Sequence, residues 1–270
     1  MQRKQKSWLY VVLGLMLFSL VVFSALPVVS SIVEGKSKPE SEYQTTSISK
    51  TDLARLDAEA SGYEKVLQRE ADNETALRGL LQIRLEQKDL EKAIAPLEKL
   101  ARLHPQQSEY GILLAQAKQQ IEDYEGAATA YRQILAEHPG DVMALGGMAN
   151  LYLSQNLPER AIALLQDTLQ LAASDKERGD SIDSTSVKLL LGELYVNSEK
   201  YDEAIATYDK LASANSKDFR PVLAKALVLE RKGQVEAAKP TLETAYTLAP
   251  AKYKDQIAAE IQRLQPTRNK

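Results

Sequence analysis

Apolar residues are distributed along the chain in three regimes. Between Trp8 and Leu26 they are nearly continuous, and WLYVVLGLMLFSLVVFSAL runs for 19 residues without a charge. Between Glu34 and Lys50, in EGKSKPESEYQTTSISK, they are sparse and aperiodic among Gly, Pro and Ser. From there to about residue 265 they return at steps of three and four. Leu114, Ala115 and Lys118 share one such stretch, and Tyr124, Ala127, Tyr131 and Ile134 the next. Steps of that size put side chains on one helical face, so the spacing predicts a long series of amphipathic helices.

A longer period overlies the short one. Pro105 and Pro139 are 34 residues apart, each after a histidine, in LHP and EHP. Ala93, Ala127 and Ala161 also step by 34; then come 43 to Ala204 and 34 to Ala238. The nine extra residues lie at about 174–184, inside the polar, turn-forming AASDKERGDSIDSTS of residues 172–186. The phrase EDYEGAATAYRQILAEHPGD therefore reappears as EKYDEAIATYDKLASANSKD after 77 residues. A small Ala at the fixed position lets two helices approach closely, while Tyr or Leu fills the gap beside it. A single 34-residue helix pair cannot bury its apolar face, but stacking on copies of itself does so.

In this pattern the chain resembles the tetratricopeptide repeat family, whose unit is a helix–turn–helix of about 34 residues. Unit one (74–107) holds Leu80, Leu90, Ala93, Leu97 and Pro105; unit two (108–141) holds Leu114, Ala115, Tyr124, Ala127, Tyr131 and Pro139. Unit three (142–175) has Ala149, Tyr152, Ala161 and Leu165, with Ala173 in the Pro place. Unit four (185–218) has Leu191, Gly192, Tyr195, Tyr201, Ala204 and Tyr208, with Ser216 in that place. Unit five (219–252) has Ala226, Gly233, Ala238, Ala245 and Pro250, and none of the five has the family's early Trp. The resemblance implies an all-α, right-handed superhelical solenoid of antiparallel helix pairs over residues 74–252. Residues 51–73 match a half-repeat that would cap the first pair, and 253–270 supply a capping helix and tail.

In the family, the first helix of each pair lines a concave surface where partner segments lie. Carried over, the inward positions are Arg78, Gln82, Ile112, Leu113, Gln116, Gly147, Asn150, Leu189, Leu190, Glu193, Arg220 and Leu223. Some relatives clamp a chaperone carboxyl terminus with Lys and Asn on successive first helices. Here Arg78 and Gln82 are followed by Leu113 where Asn is needed, and Met143 and Gly147 stand in unit three. A peptide ending in Glu-Glu-Val-Asp is therefore not expected to bind. Ile112, Leu113, Leu189, Leu190 and Leu223 suit an apolar or amphipathic helix of a partner protein. They are equally suited to packing between repeats.

Charge and chemistry narrow the function. The chain has 34 basic and 37 acidic residues, a formal net charge of −3, and three of the cations precede the apolar run. The rest is mildly acidic and a poor match for nucleic acid. With no cysteine there is no disulfide, thiolate chemistry or cysteine-ligated metal. The two histidines, His104 and His138, occupy equivalent repeat positions, about one helix-packing distance of ~10 Å apart. They are read as turn residues at helix carboxyl ends, where positive charge is favourable. Gly146-Gly147 lacks the strand before and the Lys after that a phosphate loop needs. No catalytic residue, metal ligand or cofactor site is expected.

At the amino terminus, the run from Trp8 to Leu26 would extend about 28 Å as a helix, near the thickness of bilayer hydrocarbon. Trp8 and Tyr10 suit an interface, and Pro27 ends the span. A cleaved signal peptide is the alternative. Phe23-Ser24-Ala25 puts a ring where a small residue belongs, although Val29-Ser30-Ser31 is a tolerable cleavage site. Residues 1–33 are read as a basic cytoplasmic stub and transmembrane anchor, and 34–50 as a flexible linker. Arg3, Lys4 and Lys6 favour a cytoplasmic amino terminus, with the repeats on the periplasmic or lumenal side.

The expected function is a membrane-tethered protein–protein interaction scaffold that assists assembly or folding of membrane or envelope complexes. The alternative is a structural or oligomerising subunit of a stable membrane complex, including photosystem-type assembly. Both rest on fold-level analogy with single-span repeat proteins.

Overall fold

The computed structural model describes residues 50–175, 179 and 181–264, so the apolar run at 8–26 and most of the polar run after it lie outside the described residues. Among the described residues there are twelve α-helices and no strand. They are α1 (Lys50–Arg69), α2 (Glu74–Glu86), α3 (Leu90–Leu103), α4 (Ser108–Gln120), α5 (Tyr124–Glu137) and α6 (Val142–Ser154). After these come α7 (Pro158–Ser174), α8 (Ser184–Asn197), α9 (Tyr201–Ala214), α10 (Phe219–Arg231), α11 (Val235–Leu248) and α12 (Ala251–Arg263). No helix among the described residues is long and apolar enough to cross a membrane. The chain divides between Ile121 and Glu122 into two compact units.

Helix boundaries follow from local chemistry repeated at the same period. Side chains of Asn73, Asp89, Asp123, Asp141, Asp183 and Asp218 accept hydrogen bonds from backbone N–H groups two or three residues on. Each satisfies a donor that the first helical turn leaves free. The tight turns inside the pairs place Lys88, Glu122, Asn156, Glu199 and Gly233 at positive φ, between 58° and 75°. Four of these turns close with a bond from the next N–H to a carbonyl five residues back: Asp89 to Arg84, Leu157 to Tyr152, Lys200 to Tyr195 and Gln234 to Leu229. This is the left-handed helix stop usually given to Gly, here imposed on mostly non-Gly residues.

In the first unit, α1 lies on α2 through Leu56, Ala60, Leu80 and Ile83, with Tyr63 and Leu67 beside them. A Cβ at Gly79 would fall 2.4 Å from the Tyr63 ring, so the glycine is a socket for it. The nearly buried Arg84 guanidinium donates to Glu64 of α1 at 2.6 Å and to Gln87 at 2.9 Å. Removing either acceptor would leave a buried cation short of partners.

In the second unit each helix from α5 to α12 packs on its sequence neighbours, and α8 also touches α6 and α10. The core between α6, α7 and α8 holds Leu145, Ala149, Ala161, Leu165, Leu191 and Leu194. The inserted residues are partly structured. α7 runs 17 residues where α5, α9 and α11 run 14, and Ile182 joins the core as a plug beside Gly140.

The two units share a packing device at equivalent positions. Residues 63, 97, 131, 165, 208 and 242 read Tyr, Leu, Tyr, Leu, Tyr, Leu. A Cβ at Gly147 would meet the Tyr131 ring at 2.4 Å, and one at Gly192 would meet Tyr208 at 2.3 Å. Gly147 therefore houses a tyrosine and does not open the groove. Where the ring is replaced by Leu165, the opposing position is Leu190, which packs on the same core. A ring thus meets a glycine, on the next helix for Tyr63 and Tyr131 and on the preceding helix for Tyr208, whereas Leu165 and Leu190 share one core.

Two local expectations need correction. Tyr124 is 39% exposed, because as the first residue of α5 it precedes the buried face. The last helix begins at Ala251 behind Pro250, not at Tyr253.

The fit of the Tyr131 ring at Gly147 is testable in full-length protein by urea unfolding. Gly147→Leu should cost about 1–3 kcal/mol, because the Tyr131 ring has no free space to move into. Adding Tyr131→Leu should recover at least half of that loss by recreating the Leu165–Leu190 arrangement. Additive losses in the double variant would show that the two residues do not share a site.

Candidate functional site

Three first helices of the second unit (α6, α8 and α10), with Tyr208 of α9, border a cavity of about 870 Å³. Binding pockets commonly measure about 300–1,000 Å³. The α8 residues that line it are Ser186, Leu189, Leu190, Glu193, Val196 and Asn197, an i, i+3, i+4, i+7 stripe. From α10 come Ala224, Leu227, Val228, Glu230 and Arg231, while Val142 closes the α6 end. Leu227 is 42% exposed, a large apolar side chain left open to solvent.

Glu193 is the distinctive polar group. It is exposed at the cavity mouth, and partial desolvation by the surrounding walls raises its carboxyl above the ordinary glutamate range. The nearby Tyr208 phenol is raised by burial and further by the charge of Glu193. Burial alone pushes Tyr131 up to about 12. Both tyrosines are neutral at physiological pH and act as fillers. Glu230 is already neutralised by the Arg263 guanidinium, which donates to both of its carboxylate oxygens.

Only part of the sequence-derived groove converges here. Leu189, Leu190 and Glu193 line the cavity. In the same unit, Asn150 is exposed on α6 and does not line it, and Arg220 is tied to Asp218 at the start of α10. Leu223 packs with Ala226, Leu242, Ala249 and Ile257. In the first unit, Ile112 and Leu113 are each 2% exposed and belong to the core, because α4 is apolar around most of its circumference. For these two and for Leu223, packing replaces the open-groove reading. Arg78 pairs with Glu74 at 2.9 Å and lies over the Tyr110 ring; Gln82 is exposed, and Gln116 is half-buried. Missed by sequence reasoning were Val196, Leu227 and Val228. Stepping 34 residues from Leu190 and Glu193 reaches Ala224 and Leu227, so the repeat period itself pointed to the α10 wall.

His104 and His138 each cap a helix carboxyl end, their N–H groups bonded to Leu100 and Ile134. The His104 Nε2 lies 3.1 Å from the Glu74 carboxylate. Among the described residues no group of three His, Asp or Glu side chains could hold a metal ion.

The raised carboxyl fixes the sign of a pH effect. Folded Glu193 holds its proton more tightly than the unfolded chain does, so its contribution to stability falls as pH rises from about 4 through the folded pKa. Glu193→Gln should raise the melting temperature at pH 7 and leave it nearly unchanged at pH 4, read by circular dichroism. An equal shift at both values would remove desolvation as the cause.

Family models described as tetratricopeptide repeat match residues 57–108, 122–182 and 189–253. Cellulose synthase operon protein C of Pseudomonas fluorescens (strain SBW25) is 27% identical over 146 residues, 53% of this chain and 11% of that protein. Protein SLOW GREEN 1, chloroplastic, of Arabidopsis thaliana is 24% identical over 180 residues, 66% of this chain and 55% of that protein. The chain thus spans about half or less of the length of these curated relatives. Yeast Tom70 is similar in fold, with a TM-score of 0.50 and 14% identity over 82% of this chain and 44% of that one. The matched repeat segments occupy more than half of the sequence, and the chain belongs to the tetratricopeptide repeat family.

Proposed function

We propose that this protein is a membrane-tethered scaffold. In this reading it seats a segment of another protein in the cavity of its second unit and so assists assembly or folding of membrane or envelope complexes. Family membership supports the scaffold role, since these repeats serve as protein–protein interaction surfaces. The observation that carries the reading is the cavity itself, built by successive first helices, walled by leucine and valine, and carrying the exposed Leu227. An open apolar surface of this kind suits an apolar or amphipathic helix recognised by spaced anchors.

The tether is inferred from the uncharged run at 8–26, the preceding Arg3, Lys4 and Lys6, and the polar linker at 34–50. The 16 residues from 34 to 49, ahead of Lys50 where α1 begins, would as a flexible linker have a root-mean-square span of about 20–24 Å. Such a leash holds the repeats near the bilayer and raises their effective concentration toward membrane-bound clients. The positive charges ahead of the run place the repeats on the periplasmic or lumenal side in this reading.

Leu189→Glu combined with Leu227→Glu tests the cavity from one half-buried position, packed beside Tyr208, and one exposed position, whereas a charge at Leu113 would be fully buried. A photo-crosslinker at residue 230 in native membranes should capture a partner protein. The double variant should lose that product while its circular dichroism spectrum stays unchanged. Undiminished capture would remove the cavity from the mechanism. In sealed vesicles with the cytoplasmic face outward, added protease should spare the repeats until detergent is present; cleavage without detergent would reverse the orientation.

A further inference from the structure

We infer that the occupant of this cavity is an apolar helical segment of a partner protein carrying one lysine or arginine, and that Glu193 receives that cation. The inference rests on the cavity reading and adds a charge requirement to it. Glu193 stands in the middle of the α8 stripe, with Leu189 and Leu190 a turn before it and Val196 a turn after. Leu227 and Val228 of α10 line the same space. Among the described residues no ion pair involves Glu193, whereas the other carboxylate lining the cavity, and some acids elsewhere in this unit, are matched. Glu159 meets Lys200 at 2.7 Å, Asp209 meets Lys225 at 2.6 Å, and Glu230 meets Arg263.

This carboxylate is exposed at the cavity mouth yet partly desolvated by the apolar side chains around it. Desolvation is the single cause of its raised proton affinity, and the Arg231 guanidinium that also borders the cavity does not offset it. A carboxylate partly stripped of water gains more from an incoming cation than a fully hydrated one, because the local dielectric is lower. Apolar side chains flanking that cation would displace the remaining water and strengthen the pair. An acidic segment would be rejected by the same group, which gives the site selectivity as well as attraction.

The length of the trough accommodates a helix. Neighbouring helices lie about 8–10 Å apart, so three first helices extend a trough of about 20 Å. A helix of about 13 residues covers that length at ~1.5 Å per residue.

The test uses the full chain in lipid nanodiscs, panned against a displayed library of random peptides of about 14 residues. Enriched peptides that compete with one another and fail on Leu227→Glu should carry Lys or Arg flanked by Leu, Ile or Phe at helical spacing. Synthetic copies should lose affinity about tenfold when the cation becomes Gln, and by a similar factor on Glu193→Gln protein. Charge reversal on both sides, Glu193→Lys with the peptide cation changed to Glu, should restore binding. Cavity binders that lack a cation, or that bind Glu193→Gln protein unchanged, would overturn the charge assignment and leave the cavity reading intact. An absence of any binder sensitive to Leu227→Glu would overturn both. Self-association of the full chain that disappears in Glu193→Gln would make a second copy the occupant and overturn the partner assignment.

Discussion

Close approach of helices at alanine governs this molecule. Ala93, Ala127, Ala161, Ala204 and Ala238 show no exposed surface. A larger side chain at any of them would hold the second helix of its pair away from its neighbours and open a void beside it. Because the contact is close, the residue one turn later (Tyr131, Leu165, Tyr208 or Leu242) projects against neighbouring helices, a first helix of the next pair for Tyr131 and the first helix of its own pair for Tyr208, and must find a fitting surface there. Gly147 and Gly192 supply it for rings, and Leu190 for the smaller Leu165. Register and spacing of the first helices follow from these seams.

Regular seams on the second helices leave the first helices free to do something else. In the second unit, α6, α8 and α10 meet along one side and leave a trough between them. The trough keeps leucine open to water, which is unfavourable for the isolated chain, and holds a carboxylate that has no ion pair among the described residues. Packing elsewhere in the same unit shows that the repeats can bury or pair such groups: Leu223 joins a core and Asp209 finds Lys225. The proposed binding surface rests on this contrast, because local departures from good packing and pairing concentrate where a ligand completes the structure.

Much of this was legible in the sequence because the period is written in residues with narrow steric roles. Alanine marks the seams, and Asp or Asn marks helix starts through its side-chain acceptor. Proline marks the ends of units one, two and five. What sequence could not show depends on rotation about helix axes. Ile112 and Leu113 occupy repeat positions equivalent to groove residues, yet α4 is buried around most of its surface. The pairing of Tyr63 with Gly79 and of Tyr131 with Gly147 joins residues sixteen apart on successive helices, a relation that only packing reveals. The plug formed by Ile182 was hidden for the same reason, as a single apolar residue in a polar insertion.

Stacking of equivalent pairs is tested most directly by deletion in and out of phase. Removal of residues 219–252 takes out one whole 34-residue period, whereas removal of 219–235 takes out 17 residues and breaks the alternation of first and second helices. Thermal unfolding followed by circular dichroism should remain cooperative in the first variant, at a lower midpoint, because each layer depends mainly on its neighbours. The second variant should lose a cooperative transition over its carboxyl-terminal part. Equal collapse of both variants would contradict the account, since the layers would then not be interchangeable copies.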